Sequence, residues 1–172
     1  WDGRVSVWLY AAGYIEEAPA LENMTDLTGF RFGMGKNAWG PMMHINNFQH
    51  DITRNIPQDV MWGTNNSLVP LFHIEDPEAI ELGQVVYSLG RCKPGMAVKE
   101  FDTWRSIYIA APNVPAPVLR GIARYAGVHL YNEMGDLLYA TPNLLSVHTL
   151  SGGPRVFTLP ERVASVYDLY EN

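Results

Sequence analysis

The groups able to do chemistry in this chain are one thiol, Cys92, five histidines, and carboxylates that cluster as Glu16 with Glu17 and as Glu75, Asp76, Glu78 and Glu81. A cysteine nucleophile needs a lowered pKa and a turn that presents it. Arg91 and Lys93 flank Cys92 and favour a thiolate, but Arg91-Cys92-Lys93-Pro94-Gly95 reads as a turn between strands, not a strand-to-helix elbow. An ordinary surface or structural cysteine is the expectation. His44, His50 and His73 fall in or beside an irregular segment, and His129 and His148 fall inside strand candidates. None has the close paired spacing of a zinc site, so no metal is expected. Cleavage of a glycosidic bond requires two carboxylates roughly 5 to 9 Å apart. Asp76 is better read as a helix cap and Glu78 as a first-turn acid, and nothing singles out a carboxyl of raised pKa. Catalysis within this chain is not indicated. Gly29, Gly33 and Gly35 form no phosphate-cradling loop and no P-loop lysine exists, so no cofactor is expected.

The tryptophans are Trp1, Trp8, Trp39, Trp62 and Trp104. An indole stacks on sugar rings and also anchors protein interfaces, because it buries a large apolar area while its N–H stays available. Trp8 and Trp104 lie in strand candidates and read as core. Trp39 and Trp62 lie in the irregular segment, and together with His50 they are the candidate binding or interface residues; packing over one end of the core is the alternative.

Composition narrows the partners. The 172 residues carry 12 Lys plus Arg against 18 Asp plus Glu, a net charge of −6, with no basic run, so nucleic acid is not an expected partner. With 47% hydrophobic and 17% charged residues the chain is built to fold. No apolar stretch approaches the roughly 20 residues that span a bilayer, and no leader is evident. Asn23-Met24-Thr25 and Asn65-Asn66-Ser67 fit the glycosylation pattern, which matters only on a secretory route; cellular location stays open. The chain starts at Trp1 and enters a strand-like run at Val5, which suggests a fragment of a longer polypeptide.

The elements that must position these residues follow from periodicity. Val5 to Tyr10 (VSVWLY) is apolar on both alternating faces apart from Ser6, as in a strand covered on both sides and flanked by neighbours. A short helix around Asn23 to Thr28 ends at Gly29. From Lys36 to Pro70 no period of two or 3.6 persists. Asp76-Pro77 predicts a helix stopped by Gly83. Gln84 to Leu89 and Met96 to Phe101 read as strands, as does Trp104 to Ala111. Pro112, Pro115 and Pro117 then lead into the clearest helix, with Val118, Leu119, Ile122, Tyr125 and Ala126 on one face and Gly127 at its end. Val128 to Tyr131 as a further strand would complete a βαβ unit and imply a parallel sheet. After Gly135, short strands are expected at Leu137 to Ala140, Leu144 to Leu150, Val156 to Leu159 and Val163 to Leu169.

Several runs are recognisable together: VWLYAAGYI (Val7 to Ile15), MTDLTGF (Met24 to Phe30), LFHIEDPEAIELG (Leu71 to Gly83), WRSIYIAAPNVPAPVLRGIARYAGVHLY (Trp104 to Tyr131) and LLYATPNLLSVHTLSGGPRVFTLP (Leu137 to Pro160). This ordered set resembles the β-galactosidase trimerisation-type domain that follows the catalytic barrel in glycoside hydrolase family 42 and related glycoside hydrolases. The resemblance implies an α/β fold of the flavodoxin-like or class I glutamine amidotransferase-like type, without the amidotransferase nucleophile. The resemblance covers most of the chain; the domain it implies takes residues 1–133, lacking the family's N-terminal units, with a small antiparallel β segment over 134–172. It implies an accessory domain that builds a homo-oligomer and shapes a neighbouring sugar site, with the catalytic barrel, in the same or a companion chain, and that enzyme's carbohydrate as partners. The family's catalytic glutamates belong to the barrel and map to no position here. From Lys36 to Pro70 the match is loose, at His50-Asp51-Ile52-Thr53. The other readings are a self-contained hydrolase or amidotransferase-like enzyme using Cys92 or a carboxylate pair, which would lose turnover on changing Cys92 or Glu17, and a plain carbohydrate-binding module.

Overall fold

The computed structural model describes residues 4–87 and 90–170. Trp1 and the end of the strand expected at 84–89 lie outside the described residues. The chain forms two compact units, one ending at Gly127 and the other beginning at Val128.

The first unit is mostly β. Its elements are β1 (Arg4–Leu9), α1 (Leu21–Thr28), β2 (Phe32–Gly35), β3 (Met42–Ile45), β4 (Met61–Gly63), β5 (Leu71–Ile74), β6 (Ile80–Tyr87), β7 (Arg91–Glu100), β8 (Trp104–Ile109) and α2 (Ala116–Tyr125). Six strands make one curled, half-barrel sheet in the order β1-β8-β7-β6-β3-β4, and β2 pairs with β5 in a separate small sheet. Only β1 with β8 is parallel; every other pair of the large sheet is antiparallel.

Alternation along β8 assigns the two faces of the sheet. Ser106 and Tyr108 point to the side of α1 and the small sheet: Ser106 Oγ donates to the Thr28 carbonyl at 2.6 Å, and the Tyr108 ring meets Phe32 at 4.8 Å. Arg105, Ile107 and Ile109 point the other way, where the Arg105 guanidinium lies 4.5 Å over the Tyr125 ring of α2. Met24, Phe30, Phe72 and Tyr108 fill the core on the first side.

The helices obey their local signals. Gly29 ends α1 in the left-handed region at φ 80°, returning its N–H to the Thr25 carbonyl, and a Cβ there would collide with the Phe101 ring. In α2, Pro117 stands at the helix start and Val118, Gly121 and Ile122 are buried. A Cβ on Gly121 would strike the Ile52 carbonyl, so the absence of a side chain is what lets α2 lie against the 50s segment.

Flavodoxin-like layering is not what these residues build. No strand forms at Val128 to Tyr131, so the expected βαβ unit is not closed and no second parallel pair arises in the large sheet. The helix expected from Asp76 is a single turn: Asp76 Oδ1 accepts the Glu78 N–H at 3.0 Å, and the chain then enters β6, with Gly83 inside that strand. Gly83 approaches the His44 carbonyl too closely for a side chain, which is why it pairs with β3 instead of stopping a helix. The segment from Lys36 to Pro70, aperiodic in sequence, contributes the short strands β3 and β4.

In the second unit β9 (Leu137–Ala140) and β10 (Leu145–His148) form an antiparallel pair, while the strands expected at 156–159 and 163–169 are not formed. Its organising contact is ionic: Arg155 Nε meets Asp136 Oδ2 at 2.7 Å with both side chains almost fully buried, and the same guanidinium reaches the Ser151 carbonyl at 2.7 Å.

Candidate functional site

The three residues singled out by sequence are not brought together. Trp62, in β4, is buried and its indole N–H has no hydrogen-bond partner among the described residues. Trp39 exchanges backbone hydrogen bonds with Leu68, at 3.2 and 2.9 Å, and keeps 43% of its surface exposed. It borders a cavity of about 190 Å³ whose walls include Lys36, Leu71, His73, Arg91 and Lys93. This cavity lies where the small sheet meets the Arg91 end of β7. His73 is held by Glu75, Nε2 to Oε1 2.9 Å, so it serves as wall.

His50 borders a different, larger and more polar pocket of about 420 Å³ with Asp51, Arg54, Glu100, Arg105, Arg124 and Tyr125. Its Nδ1 accepts the Ile52 N–H at 3.2 Å, which places the proton of the neutral ring on Nε2. Burial lowers its pKa and outweighs the opposing pull of Asp51 and Glu100. The Tyr125 hydroxyl donates to Glu100 Oε1 at 2.8 Å, and Arg105 Nε meets the same oxygen at 3.0 Å. Burial and then the Glu100 hydrogen bond push the Tyr125 pKa upward, so the phenol stays a donor and is no base. Arg54 pairs with Asp51 at 3.1 Å. The pocket can offer donors to a polar ligand.

The other sequence candidates have structural settings. The Cys92 thiol is exposed and lies 3.7 Å from the Gly90 carbonyl. Asp76 is buried and paired with Lys99. Glu81 accepts from Asn46 and Gln84. Among the described residues no group of three His, Cys, Asp or Glu could hold a metal, and no helix is long and apolar enough to cross a membrane.

A further feature is the free side of β1. This strand ends the sheet and hydrogen-bonds only β8 among the described strands. By register Val7 and Leu9 lie beside Ile107 and Ile109, which are fully buried, yet they are 39% and 48% exposed. The apolar run Val5 to Tyr10 was the signal for this edge in the sequence. The polar pocket had no such signal, because Glu100, Arg105 and Tyr125 belong to three separate elements.

The chain matches no protein-family model and no curated protein. Among solved structures it has a distant likeness to a ThuA-like protein from Bacteroides uniformis, with 15% identity and a TM-score of 0.44 over 70% of this chain and 57% of that one. It has a similar likeness to a β-galactosidase from Bacillus circulans sp. alkalophilus, with 13% identity and a TM-score of 0.45 over 78% of this chain and 21% of that one.

Proposed function

We propose that the chain is an accessory association module of a carbohydrate-processing enzyme, acting by pairing β1 with β1 of a second copy. The observation that carries this reading is the contrast between the two edges of the large sheet. An unprotected edge strand is a template for another chain, and proteins blunt such edges with short strands, prolines or charges. β4 is three residues long and its Gly63 carbonyl accepts the Asn113 side-chain amide. β1 has six residues, contains no proline and carries Arg4 as its one charge.

The sequence of β1 suits self-pairing. In an antiparallel pair about a two-fold axis at Val7, Val5 opposes Leu9 and Val7 opposes its own counterpart, while Arg4 falls opposite Tyr10 and the two guanidiniums stay apart. The half-exposed Val7 and Leu9 then join one continuous apolar face on both copies, so a single contact satisfies backbone groups and covers apolar surface. The link to carbohydrate enzymes rests on the resemblance of the sequence runs to the trimerisation-type domain. In this reading the module draws together the catalytic barrels attached to it and places one subunit's surface near its neighbour's sugar.

The test is the solution mass by light scattering across a concentration series. The wild-type chain is expected to associate below about 100 µM, and Val7→Lys, which opposes two charges at the axis, to be monomeric with an unchanged circular dichroism spectrum. A wild-type chain that remains monomeric throughout, or a Val7→Lys variant that associates equally well, overturns the proposal.

A further inference from the structure

We propose that the cavity beside Trp39 binds a small phosphate ester with a ring-shaped body, the phosphate held by Lys36, Arg91 and Lys93 and the ring laid on the indole. The charge pattern is the first reason. The protein has a net charge of −6, yet this cavity is lined by Lys36, Arg91 and Lys93 and, among the described residues, by no carboxylate, Glu75 standing behind the wall residue His73. No ion pair joins these three cations to a carboxylate among the described residues, whereas Lys99 and Arg155 are each paired. Like charges that border one cavity repel one another, and an anion with two negative charges relieves that repulsion.

The position of those charges is the second reason. Arg91 and Lys93 are two apart in β7 and so project to one side of the strand, where their register partners in β6 are Tyr87 and Val85. Lys36 follows β2 directly, and β2 is fixed to β5 through the Gly35 to Leu71 register. Cations from two different sheets therefore reach one cavity, an arrangement that a merely solvated charged face does not require.

The walls supply the third reason. Leu71 is buried beneath the cavity and Trp39, locked by its two backbone hydrogen bonds to Leu68, keeps nearly half its surface exposed. A pocket that combines an apolar floor, an open aromatic face and a few converging charges suits a ligand with a flat or ring body and one anionic end. Bare phosphate would use the cations and leave the indole and Leu71 wet. A sugar phosphate or a nucleoside monophosphate would use both.

Intrinsic fluorescence of the whole chain, titrated at low ionic strength with glucose 6-phosphate, AMP, glucose, adenosine and inorganic phosphate, tests this. At least one of the two esters is expected to saturate with a Kd below about 1 mM, at least tenfold tighter than its uncharged parent and than inorganic phosphate. Which ester wins reports whether the ring is a saccharide or a base. Raising the salt should weaken binding, because the cations are exposed and their field is screened. Trp39→Phe should remove most of the fluorescence change. The double variant Arg91→Glu, Lys93→Glu, at exposed positions, should lose at least tenfold in affinity with an unchanged thermal melting curve; Lys36→Glu provides the same reading from the other sheet. Failure of both esters to saturate, equal binding by inorganic phosphate, or undiminished ester binding by the charge-reversed proteins overturns the proposal.

Discussion

The Asp76 carboxylate receives Lys99 Nζ at 2.9 Å with its side chain wholly removed from solvent. It also accepts the backbone N–H groups of Arg31, at 3.1 Å, and Glu78, at 3.0 Å. One side chain thus ties the start of β2, the turn before β6 and the last residues of β7 together, with Glu78 adding a second, exposed carboxylate to Lys99 at 2.9 Å. Burial of Asp76 by itself raises its pKa, but the Lys99 hydrogen bond and the two backbone donors overcome it and the net direction is downward. Lys99 is held upward by the same partners against its own burial.

Removing Asp76 leaves Lys99 with only the exposed Glu78 carboxylate and takes the acceptor from the backbone N–H groups of Arg31 and Glu78. Asp76→Ala is expected to cost about 3–5 kcal/mol of stability at neutral pH, measured by urea unfolding. The Asp76 contribution is present above the ordinary carboxylate pKa of about 3.9 and is lost as pH falls through the lowered folded value. Wild type and variant should therefore converge in strongly acidic solution. A stability difference that is the same at both pH extremes would contradict the assigned role.

Trp62 makes the opposite prediction. Its ring fills the core while its buried N–H meets no partner among the described residues, so the polar atom costs stability that the apolar ring recovers. Trp62→Phe is expected to change stability by less than about 1 kcal/mol, whereas Trp62→Ala should lose about 3–5 kcal/mol through the cavity left behind. Thermal and urea unfolding of the two variants check this, and a large loss in Trp62→Phe would mean that the indole N–H has a role.

His50 contributes a pH dependence in a milder range. Its folded pKa lies below the ordinary value of about 6.5, so the unfolded chain binds the proton more readily and stability falls as pH drops through that value toward the lowered one. The groups facing it are Asp51 and Glu100, which favour the charged ring, and Arg105, which opposes it, with burial deciding the direction. His50→Gln should flatten the change in melting temperature between about pH 5 and pH 7. An equally steep slope in the variant would place the titration elsewhere.

Much of the local structure was legible because its causes are local. The Gly29 end of α1, the proline-led start of α2 and the apolar run of β1 depend on residues within a few positions of each other. Asp76, expected to cap a helix, instead holds a turn that leads into β6. An aspartate satisfies the N–H two residues on in a turn as well as in a helix, and the choice was made by β3, whose pairing draws 83–86 into the sheet.

The amino-acid order alone determined that this chain has an acidic, foldable composition, the glycine stop of α1, the proline-led start of α2, and an apolar strand needing a neighbour on its edge. Tertiary structure decided which neighbour: β8, nearly a hundred residues away, as the Trp8 Nε1 to Ser106 Oγ bond of 3.0 Å across 98 positions marks. It also decided that Trp62 is buried while Trp39 is open, and that Lys36 borders the same cavity as Arg91 and Lys93. Strand pairing and pocket assembly are set by side chains far apart along the chain, whose joint energy no local pattern of residues encodes.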